Sequence, residues 1–338
     1  MKILLVSPLA YPITEVGNYA GIERLVWEYA KELIKNHDVT VMAHADSVFP
    51  DKVQLLTHKP VGDPIAAELK HYQKYQYLLR TFDVIHDFSH LHLIARFNSN
   101  LPTLNIFWHA PSLARYPKAP YNIIALSQWA AREFERVYRQ KARYQQSIAI
   151  DTEIYHPQGE RGNRFLTIGR MSPLKGNLRA ILLCQQAGVP IDVCGGRGME
   201  KAPELDDYEK AIQGLCDGDK AKFHGEISEG QKVKLMQSCR ALIYAADYPE
   251  VTSHKIQEVL LCGAPVIAPA LGGIPEIITH GVDGFLCRTD DEFLAAIRNI
   301  DQLNPQVTHE AIVGKYSVKE VCAQYTELYK QVNEGLRW

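Results

Sequence analysis

The sequence predicts an α/β protein built from two doubly wound, parallel-sheet domains. Two observations carry that prediction. Short apolar runs alternate with longer amphipathic ones along the whole chain, and the rhythm restarts after a polar, turn-rich stretch near its middle. The 338 residues are enough for about two domains.

In the first half the strand candidates are KILLVS (2–7), DVTVMA (38–43), VQLLT (53–57), DVIHDFS (83–89), TLNIFWHA (103–110), NIIALS (122–127) and SIAI (147–150). Helix candidates at 21–36, 64–81 and 128–142 lie between them. The second opens with Asp63-Pro64, an N-cap residue followed by a proline at the first helical position. The stretch TEIYHPQGERGNR, from Thr152 to Arg164, reads as the inter-domain linker. Beyond it come RFLTIGR (164–170), PIDVCGG (190–196), AKFHGE (221–226), ALIYAA (241–246), APVIAP (264–269) and GFLC (284–287). Ser228-x-x-Gln231 and Ser317-x-x-Glu320 are capping-box signatures of two helices. The second of these runs to about Asn333, and its apolar face (Val318, Val321, Cys322, Tyr325, Leu328, Tyr329, Val332) needs a partner surface. The expected division is a first domain of residues 1–151 and a second of 152–316. Two such domains would place the C-terminal edges of their strands around a cleft, where doubly wound folds bind ligands.

Composition narrows the function. A hydrophobic fraction of 46% against 22% charged is ordinary for a globular chain and excludes a disordered or fibrous one. Lys plus Arg is 37 and Asp plus Glu is 39, so a protein that coats nucleic acid is not expected. The seven cysteines contain no CxxC pair and sit mostly in apolar runs, which fits reduced thiols and a cytoplasmic protein. MKILLVSPLAYP is too short in its apolar part for a signal-peptide core and reads as a buried first strand.

Two segments carry chemistry. GRMSPLKG (169–176) joins a strand to a helix, so Arg170 and Lys175 flank a turn that aims helix N–H groups the same way. A guanidinium, an ammonium and a helix terminus together suit a diphosphate, although a plain turn with surface cations has the same local sequence. In YPEVTSHKIQEVLLCGAPVIAP (248–269), Glu250 lies in the loop before a helix and Glu258 about two turns along it. Carboxylates accept hydrogen bonds from vicinal hydroxyls, so such a pair suits a sugar at one end and a ribose at the other. Two solvated glutamates on an exposed face would look alike. HDFSHLH (86–92) resembles a metal cluster in composition, but strand alternation sends His86 and Asp87 to opposite faces, and no metal is expected.

In order and spacing, GRMSPLKG, the Glu-x7-Glu element running into VLLCGAPVIAP, and LGGIPEIITHGVDGFL (271–286) resemble the donor-binding domain of the family-four retaining glycosyltransferases, glycosyl transferases group 1. AKFHGEISEGQKVKLMQSCRALIYAAD (221–247) is similar to the strand-helix-strand that leads into that family's site. YAGIERLVWEYAKEL (19–33), DVIHDFS and NIFWHAPS carry the likeness more weakly into the first half. The resemblance implies the GT-B fold: two Rossmann-like domains facing a cleft, with a C-terminal helix (about 317–338) that crosses back to the N-terminal domain. It implies a metal-independent, cofactor-free transfer, with retention, from a UDP- or GDP-linked sugar to an acceptor hydroxyl. Arg170 and Lys175 would hold the diphosphate, Glu258 the ribose, and Glu250 with Thr252, Ser253 and His254 the transferred sugar. Gly21 would let backbone approach the diphosphate, and His109 would lie near the sugar.

The chain departs from that pattern in places. Ala20 stands where a first glycine is usual, Ser253 replaces a glycine, and His254 and Lys255 replace apolar residues. The loop between HAPS and NIIALS is short. A sugar-nucleotide 2-epimerase of the same fold and a non-catalytic nucleotide-sugar binder are the competing readings. A nicotinamide-dependent dehydrogenase is disfavoured because SPLAYP, not GxGxxG, follows the first strand. Tyr72, Tyr75 and Tyr77 beside Lys70, Lys74 and Arg80 raise a membrane contact, expected to be weak at most because tyrosines can instead cover the sheet.

Overall fold

The computed structural model describes residues 1–15, 21–109, 120–196 and 203–338. It divides into two units, Met1–Asp151 with Lys315–Trp338, and Thr152–Gly314. The first half of the chain forms β1 (Lys2–Val6), α1 (Gly21–Leu33), β2 (Asp38–His44), β3 (Gln54–His58), α2 (Pro64–Tyr75), β4 (Val84–Asp87), α3 (Leu93–Phe97), β5 (Thr103–Phe107), β6 (Ile123–Ala125), α4 (Gln128–Tyr138) and β7 (Arg143–Tyr144). Then follow β8 (Phe165–Ile168), α5 (Asn177–Ala187), β9 (Ile191–Cys194), α6 (Pro203–Leu215), β10 (Ala221–Gly225), α7 (Glu229–Ser238), β11 (Leu242–Ile243), α8 (His254–Leu261), β12 (Val266–Pro269), β13 (Gly284–Cys287), α9 (Asp290–Asn299), α10 (Pro305–Glu310), α11 (Val313–Tyr316) and α12 (Val318–Asn333).

The architecture is the α/β one expected, with a parallel sheet in each unit. The strand orders are β3-β2-β1-β4-β5-β6-β7 and β10-β9-β8-β11-β12-β13. Strands such as β4, β5, β8 and β12 are buried at every residue, which is why they read as continuous apolar runs and not as alternating ones. The order reverses direction between β1 and β4 in one sheet and between β8 and β11 in the other, and loops leaving such a switch point carry ligand sites.

Local signals act as expected at several ends. Asp63 accepts the Ile65 N–H at 3.0 Å to start α2, and Ser127 accepts that of Ala130 at 3.1 Å to start α4. The helix expected over 64–81 tightens at Gln76 into a 3₁₀ segment ending at Thr81. One expected strand is corrected. SIAI (147–150) joins no ladder: Ile150 makes only an isolated bridge to Ser317, and the last strand of that sheet is Arg143–Tyr144. Its apolar residues are buried all the same, so an extended segment beside a helix has the pattern of a short strand.

The C-terminal helix belongs to the first unit's core. The hydroxyl of Tyr329 lies 2.8 Å from His86 Nδ1, that of Tyr325 lies 2.6 Å from Ser147 Oγ, and Tyr29 donates to the Ser147 carbonyl at 2.9 Å. After α12, Trp338 Nε1 donates to the Ile123 carbonyl at 2.9 Å. His86 thus turns toward α12, while Asp87 accepts the Ser89 N–H on the other face of β4. Of the three tyrosines raised as a membrane contact, Tyr72 and Tyr75 pack on the sheet and Tyr77 is exposed. Among the described residues no helix is long and apolar enough to cross a membrane. All seven cysteines are free; six are buried, and Cys216 is half-buried. Burial pushes the Cys184, Cys194, Cys239 and Cys287 thiols up to about 12.

Candidate active site

The site lies in the second unit, at the loops that leave β8 and β11. After β8 the backbone of Gly169–Met171 is stitched to the loop after β9: Gly169 N–H donates to the Cys194 carbonyl at 3.1 Å and Met171 N–H to that of Gly196 at 2.9 Å. Arg170, half-buried, sits between them. A 3₁₀ turn, Pro173–Lys175, then leads through Gly176 into α5. Gly176 has φ +71°, and a Cβ there would stand 2.0 Å from the Ala245 carbonyl oxygen. Only glycine allows that approach, and it presses the turn against the loop after β11.

That closeness brings Lys175 to Glu250. The ammonium lies 2.6 Å from Glu250 Oε1, bonds the Tyr248 hydroxyl, and stands 4.9 Å from the centre of the Tyr248 ring. The Tyr244 hydroxyl donates to the same carboxylate oxygen. Burial opposes the charge on Lys175, but Glu250 and Tyr248 outweigh it and hold its pKa above that of an ordinary lysine. Glu250 is clamped by its backbone as well. Gly273 N–H donates to its carbonyl at 2.7 Å, and a Cβ on Gly272 (φ +61°) would meet that carbonyl at 2.4 Å. The glycines of LGGIPEI therefore hold the carboxylate's backbone.

Glu250 lies in the loop and Glu258 within α8, as their spacing predicts. Thr252 and Ser253 between them are buried, and Gln257 Nε2 donates to Thr252 Oγ1 at 3.1 Å. Ser253 has φ −144°, extended backbone open to any residue, so its replacement of a glycine causes no strain. His254 opens α8 with its imidazole pushed down to about 3, by burial and by the cations of Lys255 and Lys232, so it is neutral at physiological pH. Glu258 has its own lysine: Lys232 of α7 lies 3.1 Å from its carboxylate and 5.1 Å from the centre of the Tyr155 ring.

The structure thus joins Lys175 to Glu250 and leads through Thr252–His254 to Glu258. Gly21 and His109 belong to the first unit. Gly21 is the exposed first residue of α1; His109 is exposed two residues after β5, its ring 5.6 Å from that of His90. Ala20 and the short segment after His109 lie outside the described residues. Sequence reasoning missed Tyr244, Tyr248 and Lys232. Tyr244 and Tyr248 come from the loop after β11 and Lys232 from α7, and only the capping box before Lys232 hinted at the helix that carries it.

Residues 153–311 match the family model described as Glycosyl transferases group 1. The chain is 31% identical over 138 residues to N-acetyl-alpha-D-glucosaminyl L-malate synthase of Bacillus anthracis, covering 38% of this chain and 35% of that protein. It is 30% identical over 155 residues to alpha-1,3/1,6-mannosyltransferase ALG2 of Homo sapiens, covering 44% and 37%. The chain therefore spans little more than a third of the length of these curated relatives. Among solved structures, that of Anabaena Alr3699/HepE in complex with UDP and glucose superposes with a TM-score of 0.75 at 20% identity over 98% of this chain and 99% of that one. Sucrose-phosphate synthase from Thermosynechococcus elongatus gives 0.77 at 16% identity over 99% and 100%. At such identities these likenesses establish the fold, that of the GT-B glycosyltransferases.

Proposed function

Because residues 153–311 match the family model described as Glycosyl transferases group 1, we propose that this chain is a glycosyltransferase that takes its sugar from a nucleotide diphosphate and retains the anomeric configuration. The observation that carries the reading is the Lys175–Glu250 pair, half-buried beside Tyr244 and Tyr248 at the switch point of a parallel sheet.

Arg170 and Lys175 hold the diphosphate, Glu258 accepts the ribose hydroxyls, and Glu250 accepts hydroxyls of the transferred sugar. The acceptor oxygen forms its bond to the anomeric carbon on the face from which the diphosphate departs. The bond between that carbon and the diphosphate oxygen breaks, and the acceptor proton passes to the leaving phosphate. No protein nucleophile is needed: preorganised cations take up the charge that develops on the leaving group. Glu250, already neutralised by Lys175 before the donor arrives, loses that partner in part to the diphosphate and becomes free to accept sugar hydroxyls.

The test is release of nucleoside diphosphate from a panel of UDP- and GDP-sugars, with and without candidate acceptors and with EDTA present. Acceptor-dependent release unaffected by EDTA supports the reading. Turnover of the donor to a sugar epimer without acceptor would overturn it.

A further inference from the structure

The Lys175–Glu250 pair is held at both ends by tyrosines that take no part in the roles given above. Lys175 donates to the Tyr248 hydroxyl and stands 4.9 Å from the centre of its ring, while the Tyr244 hydroxyl donates to Glu250. Lys175 and Tyr244 reach the same carboxylate oxygen, Oε1, and among the described residues none bonds Oε2. Backbone places each phenol. Tyr244, buried at the end of β11, donates its N–H to the Ile267 carbonyl at 2.9 Å. Asp247 N–H donates to the Leu174 carbonyl at 3.3 Å, and Tyr248 and Lys175 are the next residues along their two loops. The contact between Tyr248 and Lys175 is therefore set without help from Glu250.

A donor pulls this pair apart. Its diphosphate draws the ammonium, and its sugar hydroxyls take lone pairs of the carboxylate. A lysine released in that way regains the freedom of its four-carbon stem, and its charge is no longer aimed. Resting on the reading of the site given above, we propose that Tyr248 and Tyr244 are positioning residues for the parted pair. Tyr248 keeps Lys175 on the leaving diphosphate, and Tyr244 keeps Glu250 on the transferred sugar. A phenol suits this task better than a second charged group. It accepts from an ammonium, or donates to a carboxylate, while staying neutral, so it holds each charge without cancelling it. An ammonium has three N–H donors; with one on Tyr248, two remain for phosphate oxygens. Glu250 keeps its Tyr244 bond on Oε1 while Oε2 accepts from the sugar. Aiming Lys175 counts most where charge develops on the leaving group, so the Tyr248 contribution falls on kcat and hardly on donor KM.

The test measures kcat and donor KM in the nucleotide-release assay, with the UDP- or GDP-sugar that wild type turns over. Tyr248→Phe and Tyr244→Phe are made alone and in the Lys175→Gln and Glu250→Gln backgrounds, and thermal unfolding is followed for each. Tyr248→Phe keeps the ring and is expected to lower kcat roughly tenfold, with donor KM within about twofold of wild type. Tyr244→Phe should lower kcat/KM roughly tenfold. With enzyme in excess, Tyr248→Phe should cause no further loss in Lys175→Gln, nor Tyr244→Phe in Glu250→Gln, because a positioning residue has nothing left to position. Wild-type kcat in Tyr248→Phe, a change confined to its KM, or an equal loss with and without Lys175 overturns the proposal and leaves the donor site standing. Should buried Tyr244→Phe fail to fold, the half-buried Tyr248 decides the matter alone. Wild-type protein that turns over none of the nucleotide sugars overturns both.

Discussion

Two lysine–glutamate pairs lie in the same unit and are built in opposite ways. Lys175 and Glu250 both sit outside long helices and strands, and their meeting depends on Gly176 and Gly272, whose conformations and close contacts no other residue allows. Lys232 and Glu258 meet because they project from α7 and α8, so helix register does the positioning. The loop-borne pair can be placed against a reacting atom with a precision that its backbone enforces, but a single methyl group can ruin it. The helix-borne pair tolerates backbone change and suits a binding task. In both, a lysine neutralises the carboxylate.

The comparison breaks most visibly at the loop-borne pair. Glu250→Ala and Lys175→Ala are each expected to lower kcat/KM by more than about a thousandfold in the nucleotide-release assay, because a charge aligned with the developing one is lost and its half-buried mate is left unpaired. Wild-type turnover in either would remove the pair from the mechanism. Next comes Gly176→Ala, which should destabilise the second unit by about 3 kcal/mol or more in a denaturant titration, since the new Cβ would stand 2.0 Å from a carbonyl oxygen. Unchanged stability would mean that the turn does not need its glycine.

Glu258→Ala should act more mildly, raising the donor KM about tenfold with kcat little changed, the signature of uniform binding. A loss as large as that of Glu250→Ala would erase the distinction between the pairs. The smallest effect is expected on a helix. Gly214 in α6 has open space where its Cβ would go, so Gly214→Ala should be neutral or stabilising by about 0.5–1 kcal/mol. Destabilisation there would show that the contrast with Gly176 is not one of sterics.

The sequence made the doubly wound fold and the two glutamates legible because both depend on local pattern. Apolar runs such as FLTI and VIAP are long enough to mark strands, and a glutamate eight positions before another fixes its place relative to a helix start. β11 is shorter: only Leu242 and Ile243 of ALIYAA form the strand, although Tyr244 N–H still donates to the Ile267 carbonyl at 2.9 Å before the chain bends at Asp247. Tyr248 and Lys232 were illegible, since each meets its partner, Lys175 or Glu258, only once separate elements come together, and Tyr244 because the course of its own loop decides that it meets Glu250. SIAI misled because burial, not pairing, is what an apolar run reports. Ser253 stands where a glycine is usual, and the backbone there is extended and asks for none.

The cysteines have a practical consequence. With six of the seven thiols buried and four pushed up to about 12, the native chain offers alkylating reagents almost nothing but the half-buried Cys216, itself raised by burial and by Asp217. A cysteine introduced at an exposed position in each unit, for instance at Tyr77 and at Val282, would carry an ordinary, reactive thiol. Such a protein could be labelled with a dye pair in its native background, with at most Cys216 replaced. Energy transfer between the dyes would then follow the distance between the two units as donor is added.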